Sequence, residues 1–167
     1  MLKIMIPTSF FLEKVKLNWH DIQLGIQMGY FSSEAAIDFA KQEIGSDGKD
    51  EGTLIDLICL PKIEIELGLL VNEYVEVLAQ GVFEEKKKNS KDKILYLVLL
   101  WIYENQEEFE DPLVVISVAH AEFDYPSSIS NLIFYRASKD QTEVGRHVLF
   151  RRWEKYLREE AVRWGGG

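Results

Sequence analysis

His120, Glu122 and Asp124 lie in the run His120-Ala121-Glu122-Phe123-Asp124, where two carboxylates stand close to an imidazole. On a strand the three would share a face, and on a helix His120 and Asp124 would be neighbours at four-residue spacing. Either geometry could polarise water or hold a divalent ion, so the enzymatic reading is a metal-assisted hydrolase centred on His120. It would need further ligands from elsewhere in the chain, and a single histidine near two acids is common on solvated surfaces. The other histidines are less suggestive. His20 beside Asp21 reads as a surface pair at a helix start, and His147 as a residue packed against its helical neighbours. Cys59 is the single cysteine, which excludes an internal disulfide, and in Leu57-Ile58-Cys59-Leu60 it reads as a small buried hydrophobe. No phosphate-binding glycine loop, metalloprotease pair, nucleophile elbow, kinase signature or Rossmann fingerprint is present. The balance is against an enzyme, with no catalytic residue, metal or cofactor assigned.

A second feature is electrostatic. Between residues 104 and 124 stand seven acids and no Lys or Arg. One explanation is a solvated loop leading into a helix start, where negative charge is favourable. The sharper one is a partner-binding surface made by Glu104, Glu107, Glu108, Phe109, Glu110 and Asp111, with Tyr103, Phe109 and Tyr125 as apolar anchors. Like charges at this density repel, so a partner that neutralises them gains both affinity and speed of encounter. The last helix carries the reverse pattern: Arg151, Arg152, Lys155 and Arg158 make a basic face. In an acidic chain these groups read as pairing with its own acids or solvating the helix.

The elements that must position these residues are bounded by composition. The chain has 167 residues, 47% hydrophobic and 28% charged, with 9 Phe, 7 Tyr and 4 Trp. That is enough for a single globular domain over residues 1–167, with one core and no need of disulfides or structural metal. The net charge of −9 is uneven: residues 1–133 hold 11 bases and 23 acids, whereas residues 134–167 hold 8 bases and 5 acids. The acidic body disfavours nucleic acid as a partner. The most apolar stretch, residues 94–103, is about half of what a membrane span requires, so no membrane partner is expected. Residues 1–7 are too short and too weakly basic for a signal peptide. The expected location is therefore the cytoplasm.

Helix signals dominate the chain. Asn18 with Asp21 forms a capping pattern ahead of Ile22, Ile26 and Tyr30 at helical spacing. A second helix from Glu34 carries Ile37, Ala40 and Ile44, and a third starts at Thr53 with Asp56 and stops near Pro61. From Lys62, Ile63, Leu67, Leu70, Tyr74 and Leu78 line one face of a long helix ending at Gly81, and residues 84–89 follow as a charged loop. Ser90 is a cap for residues 91–103, apolar nearly all round, as befits a buried central helix. Asp111-Pro112 opens a helix over residues 113–123, since a capping carboxylate and a proline in the first turn are its ordinary start. Residues 129–135 read as a short helix. The last helix begins near Asp140 or Thr142 and buries Phe150, Trp153, Leu157, Ala161 and Trp164. The predicted fold is an all-α multi-helix bundle of about seven helices, with α+β as the alternative if residues 62–67 and 113–118 are extended.

In overall character, and in the acidic residues of 104–124, the chain resembles the small immunity proteins of bacterial polymorphic toxin systems. It is also similar to bacterial families of domains of unknown function. The first resemblance implies a one-to-one inhibitory partner, often a toxic nuclease, held through acidic residues. The leading expectation is thus an acidic protein-binding domain that blocks a basic toxin or nuclease. The alternatives are the His120-centred hydrolase and a self-associating structural domain with a seam around Trp153 and Trp164.

Overall fold

The computed structural model describes residues 2–46, 50–133 and 144–165. Ten α-helices and two short 3-10 helices occupy these residues, with no strand among them. The fold is all-α. Residues 62–67 and 113–118, where alternation and β-branching made a strand conceivable, are helical. The helices group into two compact units, Ile4–Ile94 and Met1–Lys3 with Leu95–Gly167.

In the first unit, α1 (Thr8–Phe11), α2 (Trp19–Gln27), α3 (Ser33–Glu43), α4 (Glu51–Ile58), α5 (Lys62–Leu67), α6 (Leu69–Gln80) and α7 (Glu84–Lys87) precede the first turn of α8 (Ser90–Glu104). The capping pattern read at Asn18 is complete: its side chain accepts from the Asp21 N–H at 3.0 Å, and the Asp21 carboxylate accepts from the Asn18 N–H at 2.8 Å. Helix α2 ends where Gly29 takes φ 82°, which lets the Tyr30 and Phe31 amides both donate to the Gly25 carbonyl at 3.0 Å. That turn delivers Tyr30 and Phe31 to the core. There Phe31 stacks on Phe11 at 4.0 Å, and Ile22, Ala36, Phe39, Leu57, Val71 and Val75 complete the packing.

Three expectations for this unit need correction. The long helix from Lys62 is two helices, because Gly68 adopts φ 78° and turns the chain between α5 and α6. The predicted apolar face breaks with it: Ile63 and Leu67 are about 60% exposed, while Val71, Val75, Leu78 and Ala79 face the core. Residues 84–87, read as loop, form α7, whose acids lead and lysines follow in the order the helix dipole prefers. The third helix starts at Glu51, two residues before Thr53.

In the second unit, α8 continues to Glu104 and is followed by a 3-10 turn (Gln106–Glu108), α9 (Pro112–Glu122), a 3-10 helix (Ser127–Leu132) and α10 (Val144–Trp164). Six consecutive residues of α8, Ile94 to Leu99, are at most 4% exposed, which matches its apolar composition on every face. Asp111 caps α9 with Pro112 in its first turn, as read from sequence. Leu113, Ile116, Ile129, Leu132, Leu149 and Trp153 are buried. On α10 the inward face is Leu149, Trp153, Tyr156 and Leu157, whereas Ala161 is exposed rather than buried. The expected helix starts at Asp140 and Thr142, and the end of the short helix at Tyr135, lie outside the described residues.

Candidate functional site

The acidic segment begins where α8 runs out. The Asn105 side-chain amide donates to the Trp101 carbonyl at 2.9 Å and that of Gln106 to the Tyr103 carbonyl at 3.0 Å, closing the helix end and setting the turn that follows. Glu104, Glu107, Glu108 and Glu110 are exposed on this segment, and Phe109 is half-buried. Asp111 behaves differently. Its carboxylate caps α9 through the Leu113 N–H at 3.1 Å and accepts two bonds from the Arg146 guanidinium at 3.1 and 3.2 Å. Arg146 holds the Asp111 carboxyl below its usual range, with the α9 amides adding to the effect. Of the proposed anchors, Tyr103 is turned to α10, donating to Glu154 at 2.9 Å and meeting the Trp153 ring edge-on at 5.1 Å. Accepting that hydrogen bond, Glu154 pushes the Tyr103 phenol upward. Tyr125 is 63% exposed.

The Asp111–Arg146 pair makes a pH prediction. In the unfolded chain the Asp111 carboxylate takes a proton near its ordinary pKa, and in the folded chain only at lower pH. The pair's stabilisation is therefore complete above the ordinary value and fades as pH falls through the folded one. Urea titrations of the wild type and Asp111→Asn should differ at neutral pH and converge in acid. A constant gap across that range would remove the pair from the acid response.

His120, Glu122 and Asp124 have different surroundings. His120 is 1% exposed and meets the Tyr125 ring edge-on at 5.4 Å. Glu122 accepts the Leu2 backbone N–H at 2.6 Å, and Asp124 is exposed beyond the helix end with φ 61°. Among the described residues no three His, Cys, Asp or Glu side chains converge as a metal site. Two further expectations are reversed: Cys59 is exposed at the end of α4, and His147 is exposed on α10. Of the basic face on α10, Arg152 donates to the Asn131 carbonyl at 3.0 Å and Lys155 lies 3.8 Å from Glu159. Trp153 is fully buried, so it offers no surface for self-association.

The polar cluster that the sequence reading missed lies in the first unit. Asp21 is fully buried and receives the Ser90 hydroxyl, the Lys93 ammonium at 2.9 Å and the Asn18 N–H at 2.8 Å. Ser90, itself 1% exposed, is 2.7 Å from Nδ1 of His20. With its one proton directed to Asp21, the hydroxyl can only accept from the ring, which places the His20 proton on Nδ1. Burial lowers the His20 pKa, the effect of Lys87 acting in the same direction and that of Asp21 against it. Carboxylate, hydroxyl and imidazole thus form a chain, but the hydroxyl is enclosed and presents no nucleophile to solvent. Its evident work is to fasten the first turn of α8 to α2.

With the geometry described, comparison with protein families is decisive at one level. A model of a family described as an uncharacterised protein conserved in bacteria, DUF2247, matches residues 8–161. The chain belongs to this family. Neither curated proteins nor solved structures yield a match. The DUF2247 match takes in α1 to α9 and most of α10, including the acidic segment and the Asp21 cluster. No helix among the described residues is long and apolar enough to cross a membrane.

Proposed function

We propose that this DUF2247 protein is a protein-binding module that recognises a basic protein, acting as a cytoplasmic immunity-type inhibitor of a toxin or nuclease. The observation that carries the reading is the exposure of Glu104, Glu107, Glu108 and Glu110 on one short segment whose backbone is braced at both ends. Exposed carboxylates held on a fixed turn steer a cationic partner without a large entropy cost of ordering. A nuclease surface that meets phosphates in its substrate would meet carboxylates here. The burial of His120 and the engagement of Glu122 with the chain's own backbone weigh against the hydrolase alternative.

The test begins with capture from host lysate at low salt and continues with binding kinetics on the protein recovered. Association should slow as ionic strength rises, and the triple reversal Glu107→Lys, Glu108→Lys, Glu110→Lys should slow it about tenfold or more at low salt. Association indifferent to both salt and reversal would overturn the acidic-segment reading.

A further inference from the structure

Helix α5 has the sequence Lys-Ile-Glu-Ile-Glu-Leu and buries none of its six residues. A helix this short does not hold together in water without support, and α5 takes it from packing on α6 and α3. Yet its outward side sets large apolar groups beside the charged Lys62 and Glu66. Ile63 and Leu67, one helical turn apart, are 60% and 62% exposed, and Leu69, just past the Gly68 turn, is 70% exposed. The turn itself is firmly set: Gly68 is buried, donates to the Glu64 carbonyl at 3.0 Å, and has Ser33 Oγ 2.9 Å from where a Cβ would stand. Scattered exposed aliphatics are ordinary, but three on consecutive turns of a braced elbow make a patch of the kind that a partner covers.

Charge identifies the partner's chemistry. Between residues 50 and 80 there are seven acids and one base, Lys62. Lys62 lies 4.0 Å from Glu66 on the same helix. Glu66, Glu73 and Glu76 are exposed, and on α6 Leu69, Glu73, Glu76 and the 56% exposed Val77 fall on one outer stripe. Apolar anchors set among carboxylates match a segment whose own apolar residues are flanked by Lys or Arg. A second copy of this face would bring acids against acids, and an anionic lipid surface would be repelled.

We infer that the α5–α6 elbow is a docking surface for a basic amphipathic helical segment of a protein partner, with Ile63, Leu67 and Leu69 as its anchors. The inference rests on the reading that the partner is basic, and it adds a contact made by burial to one made by charge.

Cys59 supplies the probe, since it is the single cysteine, exposed, and three residues ahead of α5. The full chain, carrying an environment-sensitive dye on Cys59, is titrated with a synthetic amphipathic helix of leucine and lysine, and with its leucine and glutamate counterpart. The lysine peptide should bind and shift the dye, and the glutamate peptide should not. The variant Ile63→Ser, Leu67→Ser, Leu69→Ser should weaken binding about tenfold or more with an unchanged helical circular dichroism signal. A second variant, Glu66→Lys with Glu73→Lys, keeps the anchors and should also weaken it, through charge. No binding, equal binding of both peptides, or full binding by the serine variant would each overturn the inference. So would self-association that grows with salt and is abolished by the serine substitutions, because the face would then belong to a second copy. Loss of binding only in the Glu107, Glu108 and Glu110 reversal would overturn the elbow while leaving the acidic-segment reading in place. Salt-indifferent association of the captured partner would do the reverse.

Discussion

Asp21→Ala should destabilise the first unit by about 3 kcal/mol or more, as expected when one member of a buried ion pair is removed. The side chain is fully buried, and three donors converge on it: the Ser90 hydroxyl, the Lys93 ammonium and the Asn18 N–H. Lys93 is 12% exposed at its side chain and would keep the Lys16 carbonyl at 3.2 Å while losing the Asp21 carboxylate. The capping box at the start of α2 would also lose its return bond, for about 1 kcal/mol in comparable caps. Ser90→Ala removes one donor and leaves the ion pair intact, so its cost should be nearer 1 kcal/mol. Urea unfolding of both variants checks the order. A cost for Asp21→Ala below that of Ser90→Ala would show that the ammonium is solvated and the pair is screened. The same cluster predicts a pH effect through His20, whose pKa is lowered chiefly by burial. Between the folded and the ordinary value the unfolded chain binds more protons. Stability is therefore full above the ordinary value and declines as pH falls through the folded one, a decline that His20→Asn should remove.

This cluster also marks where reading the sequence stops. Helix starts were legible because their signals are local: Asn18 with Asp21, and Asp111 with Pro112, each satisfy their own helix's first amides, and the structure repeats both. The apolar run of α8 was legible for a similar reason, since a helix with no polar face must be covered on all sides. Asp21, however, bonds simultaneously to its own helix and to residues about seventy positions away, and only the first bond has a sequence signature. Ser90 and Lys93, one turn apart at the head of an apolar helix, were the available hint.

The elbow failed to show for the opposite reason. Ile63, Leu67, Leu70, Tyr74 and Leu78 have good helical spacing, and the pattern is real on either side of Gly68. The left-handed φ at that glycine rotates α6 against α5, so the stripe divides and its first half faces solvent. A periodic pattern assumes an unbroken helix, and a single glycine within it was a warning that the pattern outvoted. In the acidic segment the types were legible and the roles were not. Asp111 looks like its neighbours in sequence, but it caps α9 and meets Arg146, which stands on α10.

Gly25→Ala should cost about 3 kcal/mol, the upper part of the range for overpacking a well-filled core. Elsewhere in a helix interior the same change is worth roughly 1 kcal/mol of stabilisation, through a smaller loss of backbone entropy. The sign reverses here because a Cβ on Gly25 would overlap the Phe31 ring along one whole edge. That ring has little room to retreat. Phe31 is 2% exposed, its ring is stacked on Phe11 at 4.0 Å, and its own amide is held by the Gly25 carbonyl at 3.0 Å. Gly52 is the internal control: it lies in α4, with nothing within 4 Å of the position a Cβ would take. Gly52→Ala should accordingly stabilise the protein by about 0.5–1 kcal/mol. Two substitutions of identical chemistry, both in helices, are thus expected to move the urea midpoint in opposite directions. The pair Gly25→Ala with Phe31→Leu supplies the cycle, since a smaller side chain vacates part of the space the methyl needs. Its loss should be less than the sum of the two single losses, by about 1 kcal/mol or more for groups in direct contact. Additive losses would mean that the ring was never the obstacle, and that the tight exit of α2 is set by the backbone of residues 25–31 alone.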